Sequence, residues 1–505
     1  MRDLPGRGCC VVDVRRRRRP TGQNGRVATR TDDARSAGRG AFALLIFQSL
    51  ARLLALAFII VATREVTPSE FGRYSTVAAV LLIVGFVSDL GTTAATTKLV
   101  STGKDADELL SDSLLACLAL GFAAWGVGEI AVVVIYPHLL ALDFAILGAS
   151  LPFDACLTTV LGALDGSGAS TWRALVSFAR GGLAAVIATA LVVATSSIRW
   201  SLVGLVAGPC IALVLAVSVS RHLGVWRGHL RLSLRRGWPL IVAAVPFAAI
   251  SGFSVVTARV DVVVVSIVSS RGTTAAYDLA VRVLEGPLFL TTVLYGPMMY
   301  LFSRRLADGD QDGAQRVFDQ VMRLLFVGGI AVSVLLATLS RQLVTALFGA
   351  SYPRADLLVV ILGAQLWLMF VCAIQGMVLA SMPQMRRVVG LVAFVNTVQI
   401  VVQVCFIVVG GPVGGALSYA FGTIFAMIAF GMFIRRTVGI ETMRLPPWGT
   451  VVGAGAAAAA AFALRHAPVE IPLAVGSFVY LVAVVVSRSV GRSDVTELRD
   501  LLRRR

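Results

Sequence analysis

From about residue 41 to residue 487 the chain runs as a series of apolar stretches, each about as long as a bilayer-crossing helix and separated by short polar connections. The first half gives segments at about 41–63, 74–97, 113–135, 139–163, 174–197 and 201–220. The second half gives 238–268, 275–302, 324–340, 355–380, 388–409 and 414–434, followed by 447–464 and 471–487. The pattern predicts an all-α integral membrane protein of about fourteen transmembrane helices, with no stretch left over for a soluble domain.

Composition agrees. Hydrophobic residues make up 57% of the 505 positions and charged residues only 14%, with a mean hydropathy of +0.84. Soluble domains do not reach such values. The formal net charge of +17 is explained by the bias of basic residues toward cytoplasmic connections, and nucleic acid is not expected as a partner. Alternate connections, with the C-terminus and without the N-terminal tail, hold 23 Lys and Arg against seven on the other side. Both termini are therefore expected in the cytoplasm of a plasma-membrane protein. Nearly all the basic residues are arginine, the exceptions being Lys98 and Lys104, which suggests a GC-rich, bacterial coding sequence. The seven cysteines show no disulfide or metal spacing; neither metal nor cofactor is expected.

Residues 1–40 carry eleven arginines against four aspartates, Arg15 to Arg19 being consecutive. They are expected to form a disordered, basic cytoplasmic tail. An export signal is disfavoured, because the next apolar run is a full span without a small-residue cleavage site; a start codon assigned too far upstream stays open. At the other end, Ser493 and Asp494 as caps and Leu498, Leu501 and Leu502 on one face predict an interfacial amphipathic helix over 490–505.

The first twelve segments read as two copies of six. Phe71-Gly72-Arg73-Tyr74 after the first segment corresponds to Ala275-Ala276-Tyr277 after the seventh, an offset of about 203 residues. Val203-Gly204 recurs as Val413-Gly414, and the turn at Gly162 to Gly168 matches that at Ala380 to Gln384. Six is even, so the copies share an orientation. The expected organisation is an N-lobe over 41–220, a cytoplasmic linker over 221–237, a C-lobe over 238–436 related by pseudo-twofold symmetry, and two further helices over 437–489, with a pathway between the lobes.

Charges inside a bilayer cost roughly 2.5–3.5 kcal/mol each on insertion scales and persist where they face a partner or a wet cavity. Arg52, Arg180, Arg259 and Arg282 lie within spans, accompanied by Asp89, Glu129, Asp143, Asp154, Asp261, Asp278 and Glu285. Arg52 and Asp89 fall at similar depth, as do Asp154 and Arg180. Asp278, Arg282 and Glu285 share one helix face and, with Arg259 and Asp261, make a charged group in the second lobe. The nine cavity candidates are Arg52, Asp89, Asp154, Arg180, Arg259, Asp261, Asp278, Arg282 and Glu285. Pairing that merely fixes helix packing is the alternative for any one pair. Arginine's planar, permanently charged fork suits phosphate or carboxylate, so an anionic substrate is expected. No histidine lies within a span, which leaves carboxylates such as Asp89 or Asp154 for any proton coupling. Asn396, Gln399 and Gln403 share a face of the eleventh span and read as interhelical hydrogen bonding ahead of sugar contact.

No Gly-x-x-x-x-Gly-Lys-Ser/Thr loop occurs, so the chain carries no ATP-binding loop of this kind. The connections on the outer side are short, which disfavours a membrane glycosyltransferase or polymerase; a carrier rather than an enzyme is expected.

The stretch Thr67-Pro68-Ser69-Glu70-Phe71-Gly72-Arg73-Tyr74 continuing to Ser88-Asp89-Leu90-Gly91 resembles the first-to-second-span signature of Wzx-type polysaccharide flippases, in the multidrug/oligosaccharidyl-lipid/polysaccharide exporter superfamily. Asp261 leading to Ala276-Tyr277 is similar to the start of that family's second lobe. Leu347-Phe348-Gly349 with Ser351-Tyr352, and Gly411 to Ala416, resemble its turns before the tenth and twelfth spans. The resemblance covers about residues 41–436. It implies export of a polyprenyl-pyrophosphate-linked oligosaccharide by alternating access, with Arg52, Asp89, Arg180 and Arg259 lining the cavity. A coupling ion, H⁺ or Na⁺, is an expected partner, as are a polysaccharide polymerase and glycosyltransferases. A drug or small-solute antiporter of the same superfamily or of major facilitator type is the alternative, although the usual basic loop after the second span is replaced by Asp105, Asp107, Glu108 and Asp112.

Overall fold

The computed structural model describes residues 30–136, 138–229, 233–352, 354–382, 384–442, 448–464 and 470–486. All regular structure among them is helical. In the first half these helices are α1 (Arg30–Glu65), α2 (Pro68–Asp89), α3 (Thr92–Ser101), α4 (Ala106–Ile135), α5 (His138–Gly148), α6 (Ser150–Gly166), α7 (Ser170–Phe178), α8 (Ala184–Thr195) and α9 (Ile198–His222). A π-helical turn, Ala179–Leu183, joins α7 to α8. The second half contributes α10 (Leu234–Thr257), α11 (Val260–Val268), α12 (Arg271–Ala307), α13 (Gln311–Phe348), α14 (Ala355–Ala364), α15 (Leu366–Ala380), α16 (Met385–Val438), α17 (Trp448–Ala463) and α18 (Glu470–Val486).

Where they are described, the fourteen predicted segments lie mainly on helix, with breaks at residues 90–91, 149, 258–259 and 365. By length and apolarity, eight helical stretches among the described residues qualify outright as membrane spans, or nine when α14 and α15, bent by 48°, count as one. The helices α17 and α18, at 16 and 17 residues, are shorter. One expectation needs correcting at its edge. The tail was expected to stay disordered through residue 40, yet α1 starts at Arg30, about three helical turns ahead of the apolar run. Residues 1–29 and the amphipathic segment 490–505 lie outside the described residues.

Local chemistry sets the helix boundaries. Thr67 and Glu70 form a reciprocal capping box at the start of α2, with Pro68 at the first helical position. The second span breaks at Leu90 and Gly91, both left-handed, before resuming as α3. The hairpin inside α16 turns at Gly411, whose φ of 58° and ψ of −145° suit glycine alone, and Pro412 then opens the return arm. Side chains such as Val127, Ile130 and Val134 on α4 remain exposed, as expected where hydrocarbon is the solvent.

In lipid, apolar burial yields little transfer energy, so the helices must be held by close packing and polar contacts. The two halves meet along α2 against α12 and along α10 against α3 and α4. A Cβ built on Gly72 would lie 1.9 Å from the Arg271 carbonyl oxygen, so the starts of α2 and α12 touch backbone to backbone. Nearby, the Ser75 hydroxyl donates to Asp278 (2.8 Å), Tyr136 bonds Ser266 (2.6 Å), and Tyr352 donates to the Thr63 carbonyl (3.1 Å). These contacts seal the end of the molecule that carries Thr67 and Ser269, here called the Thr67 face. Ser75 and Asp278 are 203 residues apart, the offset at which the sequence repeats. At the opposite end, the Trp226 indole donates to Ser111 (3.2 Å) and the Arg227 amide to Asp107 (2.6 Å).

Candidate functional site

A cavity of about 780 Å³ lies between α1 and the start of the second half, lined by Ser49, Arg52, Arg259, Arg282, Glu285 and Phe289 among others. Each charged group reaches it for a local reason. Arg259 sits in the non-helical join between α10 and α11, which frees its side chain from either helix's packing. Asp278, Arg282 and Glu285 recur at helical spacing along one face of α12. Arg52 lies midway along α1.

Asp278 organises the group. Its side chain is nearly fully buried and accepts from Arg282 Nε at 2.8 Å as well as from Ser75, with Arg259 Nη1 at 3.7 Å. Arg259 Nη2 also reaches Glu285 at 2.6 Å. The Arg282 guanidinium stands 5.9 Å from the centre of the Tyr74 ring, and that of Arg52 stands 4.5 Å from the centre of the Phe289 ring. Arg52 makes no ion pair with a described residue. Three guanidiniums therefore face two carboxylates, and Arg52 is free to take a further anion. Planar forks with unused donors suit a phosphate or pyrophosphate.

Of the nine predicted residues, Arg52, Arg259, Arg282 and Glu285 line this cavity and Asp278 braces two of them. The others lie elsewhere. Asp261, fully buried on α11, accepts at Oδ2 from Tyr277 (3.0 Å) and Tyr419 (2.8 Å), and so ties α11 to α12 and α16. Asp89 does not meet Arg52 but accepts from the Thr92 hydroxyl (2.9 Å) and from Thr93 across the break between α2 and α3. Asp154 on α6 pairs with Arg180 (2.5 Å), which the π turn presents to it. Sequence reasoning had matched the depths of that pair.

Several pairings escaped the sequence reading, which placed Asp143 within a span but without its partners. Asp143, fully buried, takes Arg73 Nε at 2.8 Å and Arg199 Nε at 3.0 Å and so joins α2, α5 and α9 near the Thr67 face. The glutamines that bond helices together are Gln365, donating to the Ala416 carbonyl (3.0 Å), and Gln375, donating to the Met427 carbonyl (3.1 Å). Asn396 and Gln399, expected in that role, instead line a second cavity of about 460 Å³ inside the second half. That cavity shares Glu285 and Leu288 with the first. Among the described residues no cluster of His, Cys, Asp or Glu could hold a metal ion.

Comparison with known proteins places this architecture. The fold is similar to a structure titled lipid II flippase MurJ in an inward closed conformation, at 15% identity and a TM-score of 0.70, over 91% of this chain and 99% of that one. It is also similar to an inward-facing multidrug resistance MATE family transporter of the MOP superfamily, at 14% identity and a TM-score of 0.61, over 79% and 98%. A third is a MOP superfamily transporter from Pyrococcus furiosus with a binding pocket of reversed polarity, at 14% identity and a TM-score of 0.53, over 81% and 96%. At these identities the likeness is one of fold. Comparison with curated protein sequences gives no match. A family profile described as polysaccharide biosynthesis protein matches residues 37–300. That match takes in more than half of the 505 residues, the cavity arginines included, and the chain belongs to the polysaccharide biosynthesis protein family.

Proposed function

We propose that the protein is a flippase that carries a polyprenyl-pyrophosphate-linked oligosaccharide from the cytoplasmic to the outer leaflet of the plasma membrane, for assembly of a surface polysaccharide. The observation that carries this reading is the cavity between the halves, which Arg52, Arg259 and Arg282 line together. A pyrophosphate would meet Arg52 directly and compete with Glu285 and Asp278 for the other two guanidiniums. The same charges repel the organic cations a drug antiporter would take.

In this reading residues 41–220 and 238–436 are two parallel lobes that rock about the cavity. Basic connections put both termini in the cytoplasm, so the Thr67 face is the outer end and the contact of α2 with α12 closes it. Opening that end while closing the other moves the cargo outward. An inside-negative potential of 100 mV favours outward passage of one negative charge by about 2.3 kcal/mol. A coupling ion, H⁺ or Na⁺, would add to this or offset it, and glycosyltransferases and a polymerase would supply and consume the cargo.

The test is a gene deletion scored for lipid-linked oligosaccharide on the cytoplasmic leaflet, complemented with wild type, Arg52→Ala or Arg259→Ala at equal expression. Accumulation that wild type clears and the arginine variants leave in place is the expected result. Absence of accumulation together with altered drug sensitivity would sink the flippase reading.

A further inference from the structure

The second cavity has a chemistry of its own. Its lining includes one charged side chain, Glu285, which stands at the junction with the first cavity, and no cation. Asn396 and Gln399 face it from α16, one turn apart, and Tyr419, Thr423 and Phe430 face it from the return arm of the same hairpin. Neither the Asn396 nor the Gln399 amide makes a hydrogen bond with a described residue. Each therefore presents two N–H donors and a carbonyl acceptor without a partner among the described residues. In the same half, Gln365 and Gln375 spend their Nε2 donors on backbone carbonyls of α16, whereas Asn396 and Gln399 line the cavity. Amides that face a cavity rather than a neighbouring helix are placed to bond a polar occupant.

Volume and charge define that occupant. About 460 Å³ lies within the range of small-molecule pockets, roughly 300–1,000 Å³. Paired donors and acceptors beside an aromatic ring suit a neutral, hydroxyl-rich molecule. Glu285 at the junction repels anions and the arginines lie beyond it. A substrate with an anionic and a neutral part would thus be sorted, anion to the first cavity and neutral part to the second.

We propose that this cavity is a saccharide subsite, in which Asn396 and Gln399 hydrogen-bond the hydroxyls of the sugar while its pyrophosphate lies against Arg52, Arg259 and Arg282. The proposal rests on the flippase reading and goes beyond it by naming the residues that select the sugar. Two adjacent amides discriminate because an incoming group that cannot satisfy them leaves them desolvated and unpaired.

The experiment uses the full-length protein in lipid nanodiscs and measures Kd for undecaprenyl diphosphate, bare or carrying a neutral hexose or N-acetylhexosamine. Three proteins are compared: wild type, the double variant Asn396→Ala with Gln399→Ala, and Ala373→Leu, which fills the cavity without removing a polar group. Wild type should prefer at least one sugar-bearing lipid by about tenfold or more. Both variants should lose that preference and keep wild-type affinity for the bare lipid, which also shows that they are folded. Equal wild-type affinity for all three lipids, or a preference that survives both variants, overturns the subsite and leaves the flippase reading standing. Failure of wild type to bind any of the lipids overturns the flippase reading, and the subsite with it.

Discussion

A single methyl group at Gly72 should prevent the two halves from closing at the Thr67 face. A Cβ there would meet the Arg271 carbonyl oxygen at 1.9 Å and its carbon at 2.6 Å, both backbone atoms that cannot rotate away. Reaching even a tight contact requires the starts of α2 and α12 to separate by roughly 1 Å. That displacement carries the Ser75 hydroxyl, now 2.8 Å from the Asp278 carboxylate, beyond hydrogen-bonding range. A hydrogen bond to a charged acceptor contributes about 1.5–3 kcal/mol, so the closed population should fall about 10- to 150-fold relative to the open one. The reporter is Thr274→Cys, at a position fully buried on α12, reacted with a hydrophilic maleimide in the purified protein, with the parent protein measuring the native cysteines. Gly72→Ala should raise the labelling rate at position 274 in step with the population change. Equal rates in the two backgrounds, with the variant folded and monodisperse, would refute the claim that this backbone contact holds the face shut.

Three further outcomes follow from other sites. Asp143→Asn removes the buried negative charge that Arg73 and Arg199 share and puts an NH₂ donor where one of their two acceptor oxygens stood, and should lower stability by about 3–5 kcal/mol, read as a fall in thermal midpoint; an unchanged midpoint would mean that the two arginines find other partners. Asp310 caps α13, and its carboxyl is held below the usual value by the Gly313 amide and then by Arg305. A lowered folded pKa stabilises above the unfolded value near 3.9 and the benefit disappears as pH falls through the folded value, so the midpoint difference between wild type and Asp310→Asn should be greatest near neutrality and shrink with acid. Gly411→Ala forces a side chain into backbone angles reserved for glycine and should cost about 1–3 kcal/mol, detected as faster proteolysis at the tip of the α16 hairpin.

Some of the site was readable in advance because helical spacing is a rigid rule. Asp278, Arg282 and Glu285 had to share a face, on which Arg282 pairs with Asp278 and Arg259 reaches both acids. Depth was readable too, as the pairing of Asp154 with Arg180 shows. Rotation about the helix axis was not. Arg52 and Asp89 lie at matching depth, but Leu90 and Gly91 break the second span and bring Thr92 and Thr93 back onto Asp89, while Arg52 turns toward Phe289. Asp261 looked like a member of the charged group until Tyr277 and Tyr419, the latter 158 residues away, drew it into the packing. Which amides glue helices and which face open space depends on such long-range neighbours, and no local pattern separates Gln375 from Gln399.

The π turn at Ala179–Leu183 has a bearing on how this span could have changed over time. A π turn is an α-helix with one residue added, and the surplus is absorbed within a single widened coil. The segments before and after it, α7 and α8, keep their own registers against α1, so the fifth span is in effect two rods with an adjustable joint. Arg180 owes its place opposite Asp154 to that surplus residue. Removing one residue here would tighten the joint and leave both rods seated, whereas a deletion within α8 would rotate everything after it by about 100°. The coil that holds the arginine is thus also where the chain can best tolerate a change in length.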